Sequence, residues 1–294
     1  MNRMYTALNI TKQSFHQYHN RLLKRMELEH YLLNIINQVR TDHPTMGCRD
    51  MYYLIQPEGL GRDQFEAFCK DSGLIVKRDK NYRKTTDSSG VKRFNNLTIG
   101  LEVNRINQLW VSDITYYQVG EVYYYLTFIM DMYSRHILGH KASTRLLTTH
   151  TTLPALEKAV RTRKNQVTEG LILHSDGGGQ YYADSFLKLT QRLGIQNSMC
   201  MYPWENPYAE RINGVIKNNY LKHKYIQSFS QLEKEVDRAV KLYNQEKPHI
   251  GLQRMSPISF ENYIFGIGKR NGDEESTENK KPIVPEGSSP LGLW

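Results

Sequence analysis

At 294 residues the chain is long enough for two or three domains and a sizeable core, and its 39% apolar and 23% charged residues describe a globular protein. No apolar run approaches a bilayer span, and Met1-Asn2-Arg3-Met4-Tyr5 carries no signal-peptide stretch. The scattered Cys48, Cys69 and Cys200 fit a reducing cytosol without disulfides or a zinc site. The net charge of +9 favours a polyanionic partner, although a solvated basic surface has the same composition; residues 1–100 hold 16 Lys/Arg against 10 Asp/Glu.

Residues 1–76 read as helical. Leu8-Asn9-Ile10-Thr11-Lys12-Gln13-Ser14-Phe15 has the look of a helix-turn-helix turn, and Tyr31, Leu32, Ile35, Ile36 and Val39 recur at helical spacing up to the break at Pro44-Thr45-Met46-Gly47. Two short helices follow, Asp50 to Ile55 and Gly61 to Ser72, a pairing compatible with DNA binding and common as plain structure. Residues 77–107 form a basic linker around Ser88-Ser89-Gly90. Its Lys77, Arg78, Lys80, Arg83, Lys84, Lys92 and Arg93 suit phosphate tracking and equally a hinge with no ligand; Lys84 is carried forward as a DNA-contact candidate.

From residue 108 the pattern changes. Leu109–Tyr117, Val122–Asp131 and Arg135–Lys141 read as three strands joined by short turns, the second apolar enough to be covered on both faces. A helix over 147–163, a strand over 170–174, a helix through Phe186 and Leu189 ending near Gly194, a strand over 195–199 and a helix opened by Asn206-Pro207 follow. The order β-β-β-α-β-α-β-α predicts an α/β, ribonuclease-H-like core over 108–225: a mixed five-stranded sheet with helices on both faces. Ser230-Gln231-Leu232-Glu233 reads as a capping box for a helical extension of the core over 226–267, striped by Leu232, Val236, Val240 and Tyr243. Residues 268–294 are polar and rich in Pro, Gly and Ser, the composition of a disordered tail.

Three acids stand out. Asp113 lies inside a strand, where a charge is disfavoured unless compensated. Asp176 ends a strand before Gly177-Gly178-Gly179, which would let a substrate approach closely and reads as readily as a turn. Glu210 lies in the first turns of a helix with Asn206 as N-cap and Pro207 at the first position, and alone it reads as a surface glutamate. Three convergent carboxylates suit two Mg²⁺ ions, which prefer hard oxygen ligands. Asp131 is the nearest competitor, as a turn residue or structural hydrogen-bonder; Glu205, and Asp184 as a helix cap, rank lower.

Trp110-Val111-Ser112-Asp113-Ile114-Thr115-Tyr116, His174-Ser175-Asp176-Gly177-Gly178-Gly179-Gln180-Tyr181 and Asn206-Pro207-Tyr208-Ala209-Glu210-Arg211 together resemble the retroviral-integrase-like DDE transposases of bacterial insertion sequences, in particular the second-frame (OrfB) product. Tyr243-Asn244-Gln245-Glu246-Lys247-Pro248-His249 with Leu252, Ser256 and Pro257 resembles the family's C-terminal signature, and Met46-Gly47-Cys48-Arg49 its helix-turn-helix segment. The resemblance covers roughly residues 5–262. One departure stands out: thirty-three residues separate Asp176 from Glu210, two short of the family's usual spacing. The deficit falls in the loop Cys200-Met201-Tyr202-Pro203-Trp204.

The resemblance implies Asp113, Asp176 and Glu210 as the catalytic, metal-binding triad, with two Mg²⁺ ions and Mn²⁺ as a substitute. It implies nicking of transposon ends followed by joining of the freed 3′-hydroxyl to a second phosphodiester; the carboxylates alone imply only metal-dependent phosphodiester cleavage. Lys217, one face along from Glu210, is a phosphate-contact candidate and equally a solvated lysine. Arg211, Lys247 and His249 are further DNA-contact candidates, the last two equally core braces, and His174 is a candidate brace for Asp176. The implied partners are double-stranded DNA (terminal inverted repeats and target), further copies of the chain on DNA, and an upstream-frame partner with a helix-turn-helix and leucine zipper, since no such segment precedes Met1. The competing readings are a non-catalytic DNA-binding regulator that keeps the fold, and a ribonuclease H.

Overall fold

The computed structural model describes Tyr5, residues 11–76, 93–164, 170–200, 202 and 205–273, with side chains up to 266. Lys84 and the rest of 77–92 lie outside the described residues, as do Met201, Pro203, Trp204 and 274–294.

Three helices open the described chain: α1 (Lys12–Asp42), α2 (Cys48–Ile55) and α3 (Arg62–Asp71). Thr11 caps α1 by accepting the Ser14 N–H, so from Lys12 onward the stretch expected to turn is continuous helix. Leu32, Ile36, Met51, Phe65 and Cys69 bury together and hold the three helices as one unit. That unit meets the rest of the chain through polar contacts. His43 Nδ1 lies 3.2 Å from the Tyr220 hydroxyl and its Nε2 3.0 Å from Glu246 Oε2; Arg254 binds Asp50 at 2.6 Å, and Arg238 pairs with Asp42.

The larger unit is a five-stranded mixed sheet. The strands are β1 (Leu109–Val119), β2 (Val122–Asp131), β3 (Ile137–Ser143), β4 (Ile172–Ser175) and β5 (Gln196–Met199), in spatial order β3-β2-β1-β4-β5. The first three form an antiparallel meander; β4 and β5 run parallel to β1. Side chains alternate between faces. Trp110, Ile129 and Leu138 point to α4 (Thr152–Thr162) and α5 (Asp184–Arg192). Leu109, Val111, Phe128 and Met130 point to α6 (Pro207–Val215) and α7 (Phe229–Gln245). At Gly139 helix α4 comes so close that a Cβ would stand 2.0 Å from the Ala155 carbonyl oxygen, so only glycine lets this helix seat on β3. This is the ribonuclease-H-like arrangement expected.

Several local expectations shift. Arg135 adopts a left-handed turn conformation, φ 61°, and β3 begins only at Ile137. The first two residues of β2, Val122 and Tyr123, are exposed, while Tyr124 already packs against Phe229 of α7. Asp184 is the first residue of α5 and Ala183 its cap position. Helix α7 is capped by Ser228, not Ser230: Ser228 Oγ accepts the Gln231 N–H as the N-cap half of a capping box two residues earlier, while Gln231 Oε1 accepts from Gln227 N at 2.8 Å instead of from Ser228 N. A final helix, α8 (Pro257–Asp273), runs past residue 268, where the tail was expected to begin.

Candidate active site

Strand β1 is fully buried from Leu109 to Ser112 and becomes partly exposed at Asp113, so this carboxylate stands where the sheet opens to solvent. Asp176 directly follows β4, the parallel neighbour of β1. Glu210 is exposed on the first turn of α6, the helix that covers β1. Parallel α/β sheets form their clefts beyond the carboxyl ends of their strands, which is where Asp176 emerges.

Ser112 joins the three elements. Its hydroxyl donates to the Phe128 carbonyl at 3.0 Å and lies 2.8 Å from the hydroxyl of fully buried Tyr181, which belongs to the loop after Asp176. Its carbonyl accepts from Asn206 Nδ2 at 3.0 Å. Asn206 was expected to cap α6, but makes no side-chain cap bond and ties the helix start to β1 instead. One turn after Glu210, Asn213 Nδ2 donates to Asp113 Oδ2 at 2.7 Å, while Asp113 Oδ1 accepts the Ile114 N–H at 2.9 Å. The sequence reading missed Ser112, Tyr181 and Asn213. Only Asn213 had a legible signal, three residues beyond Glu210 and therefore on the same helix face.

Electrostatically the cluster is under-compensated. Burial, followed by the charges of Asp176 and Glu210, pushes Asp113 up to about 8 against the opposing Ile114 hydrogen bond and the Lys217 charge. Burial raises Asp176 despite the Gly178 N–H donated to Oδ1 at 3.2 Å, and burial raises Glu210. A Cβ at Gly178 would lie 3.1 Å from Asp176 Oδ1, a close approach that glycine permits. Among the described residues no Lys, Arg or His forms an ion pair with any of the three acids.

A divalent ion would supply the missing positive charge, and the donors are of the right kind. All three are carboxylates, and the buried Oδ1 atoms of Asn206 and Asn213 have no hydrogen-bond partner beside them. Yet among the described residues no three His, Cys, Asp or Glu side chains close into a ready metal cage. Asp113 and Asp176 emerge from adjacent strands, whereas Glu210 stands on an exposed helix turn. The donor set fits, with its third member on the open side.

Other expected site residues fall into two groups. Lys217 flanks the acids: in a π-type turn, Ile216–Tyr220, that continues α6, its Nζ donates to Thr115 Oγ1 at 2.7 Å, and burial lowers its pKa against the pull of Asp113. His174 does not touch the Asp176 side chain. Its Nδ1 lies 2.9 Å from Ser198 Oγ and its Nε2 3.3 Å from the Glu205 carbonyl, joining β4 to β5 and to the loop before α6.

Arg211, Lys247 and His249 lie on another side. Arg211 is exposed and its charge acts on Tyr243 and His249. The His249 ring packs edge-on against Tyr243 at 4.9 Å, its Nε2 is buried without a partner, and burial with nearby cations pushes it down to about 3, the environment of a core brace. Lys247 lines a small cleft with His43, Asp50 and Tyr220. Asp131 is fully buried and accepts from the Asn107, Tyr133 and Ser134 backbone N–H groups and from Arg163, the structural alternative considered for it.

Two family models, both described as integrase core domain, match residues 103–202 and 192–257. The chain is 28% identical over 237 residues to the "Insertion element IS600 uncharacterized 31 kDa protein" of Shigella sonnei, covering 76% of this chain and 84% of that one. It is 27% identical over 251 residues to the "Transposase for insertion sequence element IS629" of Shigella sonnei, covering 83% of each. The catalytic core domain of HTLV-2 integrase, solved with magnesium, aligns over 52% of this chain and 95% of its own at a TM-score of 0.42 and 19% identity.

Proposed function

Since this chain belongs to the insertion-sequence transposases with a retroviral-integrase-type core, and so serves DNA transposition and integration as a metal-dependent polynucleotidyl transferase, we propose that Asp113, Asp176 and Glu210 are its catalytic and metal-binding residues. The observation that carries this reading is buried Asp113, which feels the charges of Asp176 and Glu210 and forms no ion pair among the described residues, on elements that Ser112 joins. Two Mg²⁺ ions, or Mn²⁺ in their place, would be held by Asp113 and Asp176, with Glu210 closing the set from α6. When bound, the metal activates the attacking oxygen and stabilises the leaving 3′ oxygen.

The residues of the chain do the positioning. Asn213 orients Asp113 through Oδ2, the Gly178 N–H orients Asp176, and Lys217, held by Thr115, is the candidate contact for a phosphate beside the cleavage point. The substrate DNA is read as the element's terminal inverted repeats and a target duplex, nicked first and then joined. The working assembly is read as several copies on DNA, with an upstream-frame partner supplying end recognition, in the bacterial cytoplasm at the nucleoid. Among the described residues no helix is long and apolar enough to cross a membrane.

The test is Mg²⁺-dependent nicking and joining of DNA carrying the element's terminal repeats. Wild type should perform both steps and Asp113→Asn or Glu210→Gln neither. Intact nicking in either variant overturns the triad. Cleavage confined to RNA–DNA hybrids would favour the ribonuclease H reading, and DNA binding without cleavage by wild type would favour a regulator.

A further inference from the structure

We propose that Arg93, the first described residue of the basic linker, binds a backbone phosphate of the DNA lying across the acid cluster, on the flank opposite Lys217. The proposal rests on the assignment of Asp113, Asp176 and Glu210 as the catalytic centre.

Residues 93–98 run along the outer edge of β5. The Arg93 N–H lies 3.5 Å from Met199 Sδ, the Asn95 carbonyl accepts from Met199 N at 3.3 Å, and the Leu97 N–H donates to Ser198 Oγ at 2.9 Å. Met199 is in register with Ser175, the residue before Asp176. The strap therefore extends the sheet at the end where Asp176 emerges. Arg93 is exposed and, among the described residues, forms no ion pair. Its guanidinium stands 5.9 Å from the centre of the Tyr182 ring, against which Phe94 also packs at 5.8 Å. Tyr182 is anchored by its hydroxyl, 3.1 Å from Met199 Sδ. Burial first, and then the charge of Asp176, pushes the Tyr182 phenol up, while Arg93 pulls it down.

Charge and spacing give the arrangement its meaning. The acids repel a phosphate backbone, so DNA can be held across them only by cations on the flanks. Lys217 stands on the β1 flank through Thr115. Arg93 stands beyond β5, three strand spacings or about 14 Å away across the sheet. A guanidinium presents a planar fork that grips a phosphate bidentately, and an aromatic face beneath it reduces the ordering cost of doing so. Arg93 would thus hold a phosphate removed from the scissile one.

The test uses the full chain with a fluorescein-labelled duplex and, separately, supercoiled plasmid with Mg²⁺. Duplex affinity is measured by anisotropy over a salt series, beside Arg93→Ala, Arg93→Lys and Glu210→Gln. Arg93→Ala should weaken duplex binding roughly tenfold and lower the slope of log affinity against log salt by about one, and Arg93→Lys should restore the slope. Circular dichroism melts should superpose, because the Arg93 side chain carries no buried contact. An unchanged slope in Arg93→Ala, or a slope that lysine does not restore, overturns the proposal. Glu210→Gln should bind with the wild-type slope and fail to nick plasmid. If it nicks, the catalytic assignment falls, an outcome distinct from any result at Arg93.

Discussion

Asp113 and Asp131 sit at opposite ends of the same idea. Both are aspartates of the central antiparallel pair, and burial raises both. Asp131 is surrounded by protein donors: three backbone N–H groups, and the Arg163 guanidinium, which also binds Glu261 at 2.7 and 2.8 Å. His136 Nδ1, 3.0 Å from Glu261, completes this network between the sheet, α4 and α8. Asp113 has one backbone N–H, one amide and two acidic neighbours. The contrast separates two uses of a buried carboxylate. Where the fold supplies the cation, the group holds the structure; where it supplies little compensation, the group suits the metal-binding role proposed for Asp113.

The largest expected effect breaks the comparison at its catalytic end. Asp113→Asn should cost about a thousandfold or more in strand cleavage and leave the melting temperature unchanged or higher. The sign follows from the shift: an acid raised to about 8 opposes folding increasingly as pH climbs from the ordinary carboxylate range toward 8, and asparagine removes that opposition. A melt that falls with activity would make Asp113 a structural residue. Arg163→Ala attacks the other end. Deleting one partner of a buried charge network leaves Asp131 and Glu261 uncompensated, for a loss of about 3–5 kcal/mol in urea unfolding. Arg163→Ala that melts like wild type would refute the structural reading of the network.

Acid sharpens the same contrast. Burial alone would raise Glu261, but the hydrogen bonds and charges of Arg163 and His136 outweigh it and hold the carboxyl at about 2. A depressed carboxyl contributes stability that is present above its unfolded pKa, near 4.3, and is lost as pH falls from there toward 2. Asp131 moves the other way because burial outweighs its backbone N–H donors and the Arg163 charge, with a smaller upward push from Glu261. Unfolding of wild type and Glu261→Gln should therefore differ at pH 7 by about 2 kcal/mol more than at pH 3. A gap independent of pH would show that Glu261 acts by shape and not by charge.

The sheet was legible because its strands alternate or run continuously apolar, and the three acids because one interrupts a strand, one follows a strand end and one opens a helix. What could not be read were contacts between distant elements. Asn206 has the composition of a helix cap, and nothing local says that its amide is drawn away to the Ser112 carbonyl. His174 precedes Asp176 by two residues and so shares its face in an extended strand, but the loop before α6 and β5 claim both ring nitrogens. The α7 capping box was displaced because Ser228 and Ser230 both satisfy the local pattern, and only the helix start distinguishes them. The length of α8 was hidden because 257–273 mixes apolar residues with glycines at Gly266, Gly268 and Gly272, which argue locally against a helix.

The smallest predicted effect concerns Asn213, which stands between the two uses of a carboxylate. Its amide holds Asp113 Oδ2, yet its own Oδ1 is buried without a partner, so it positions the acid without neutralising it. Asn213→Ala should remove one charge-assisted hydrogen bond and one unsatisfied oxygen together. These terms oppose each other, leaving stability within about 1 kcal/mol of wild type. Cleavage should drop roughly tenfold to a hundredfold, with a weaker apparent Mg²⁺ requirement constant and unchanged DNA affinity, because a freely rotating Asp113 holds its ligand poorly. Asn213→Asp gives the opposite control: a fourth acid beside three should raise local repulsion, lower stability at pH 7 and recover it on acidification. If Asn213→Ala instead lost DNA affinity at an unchanged Mg²⁺ requirement, the amide would belong to substrate binding, and Asp113 would owe its position to the strand alone.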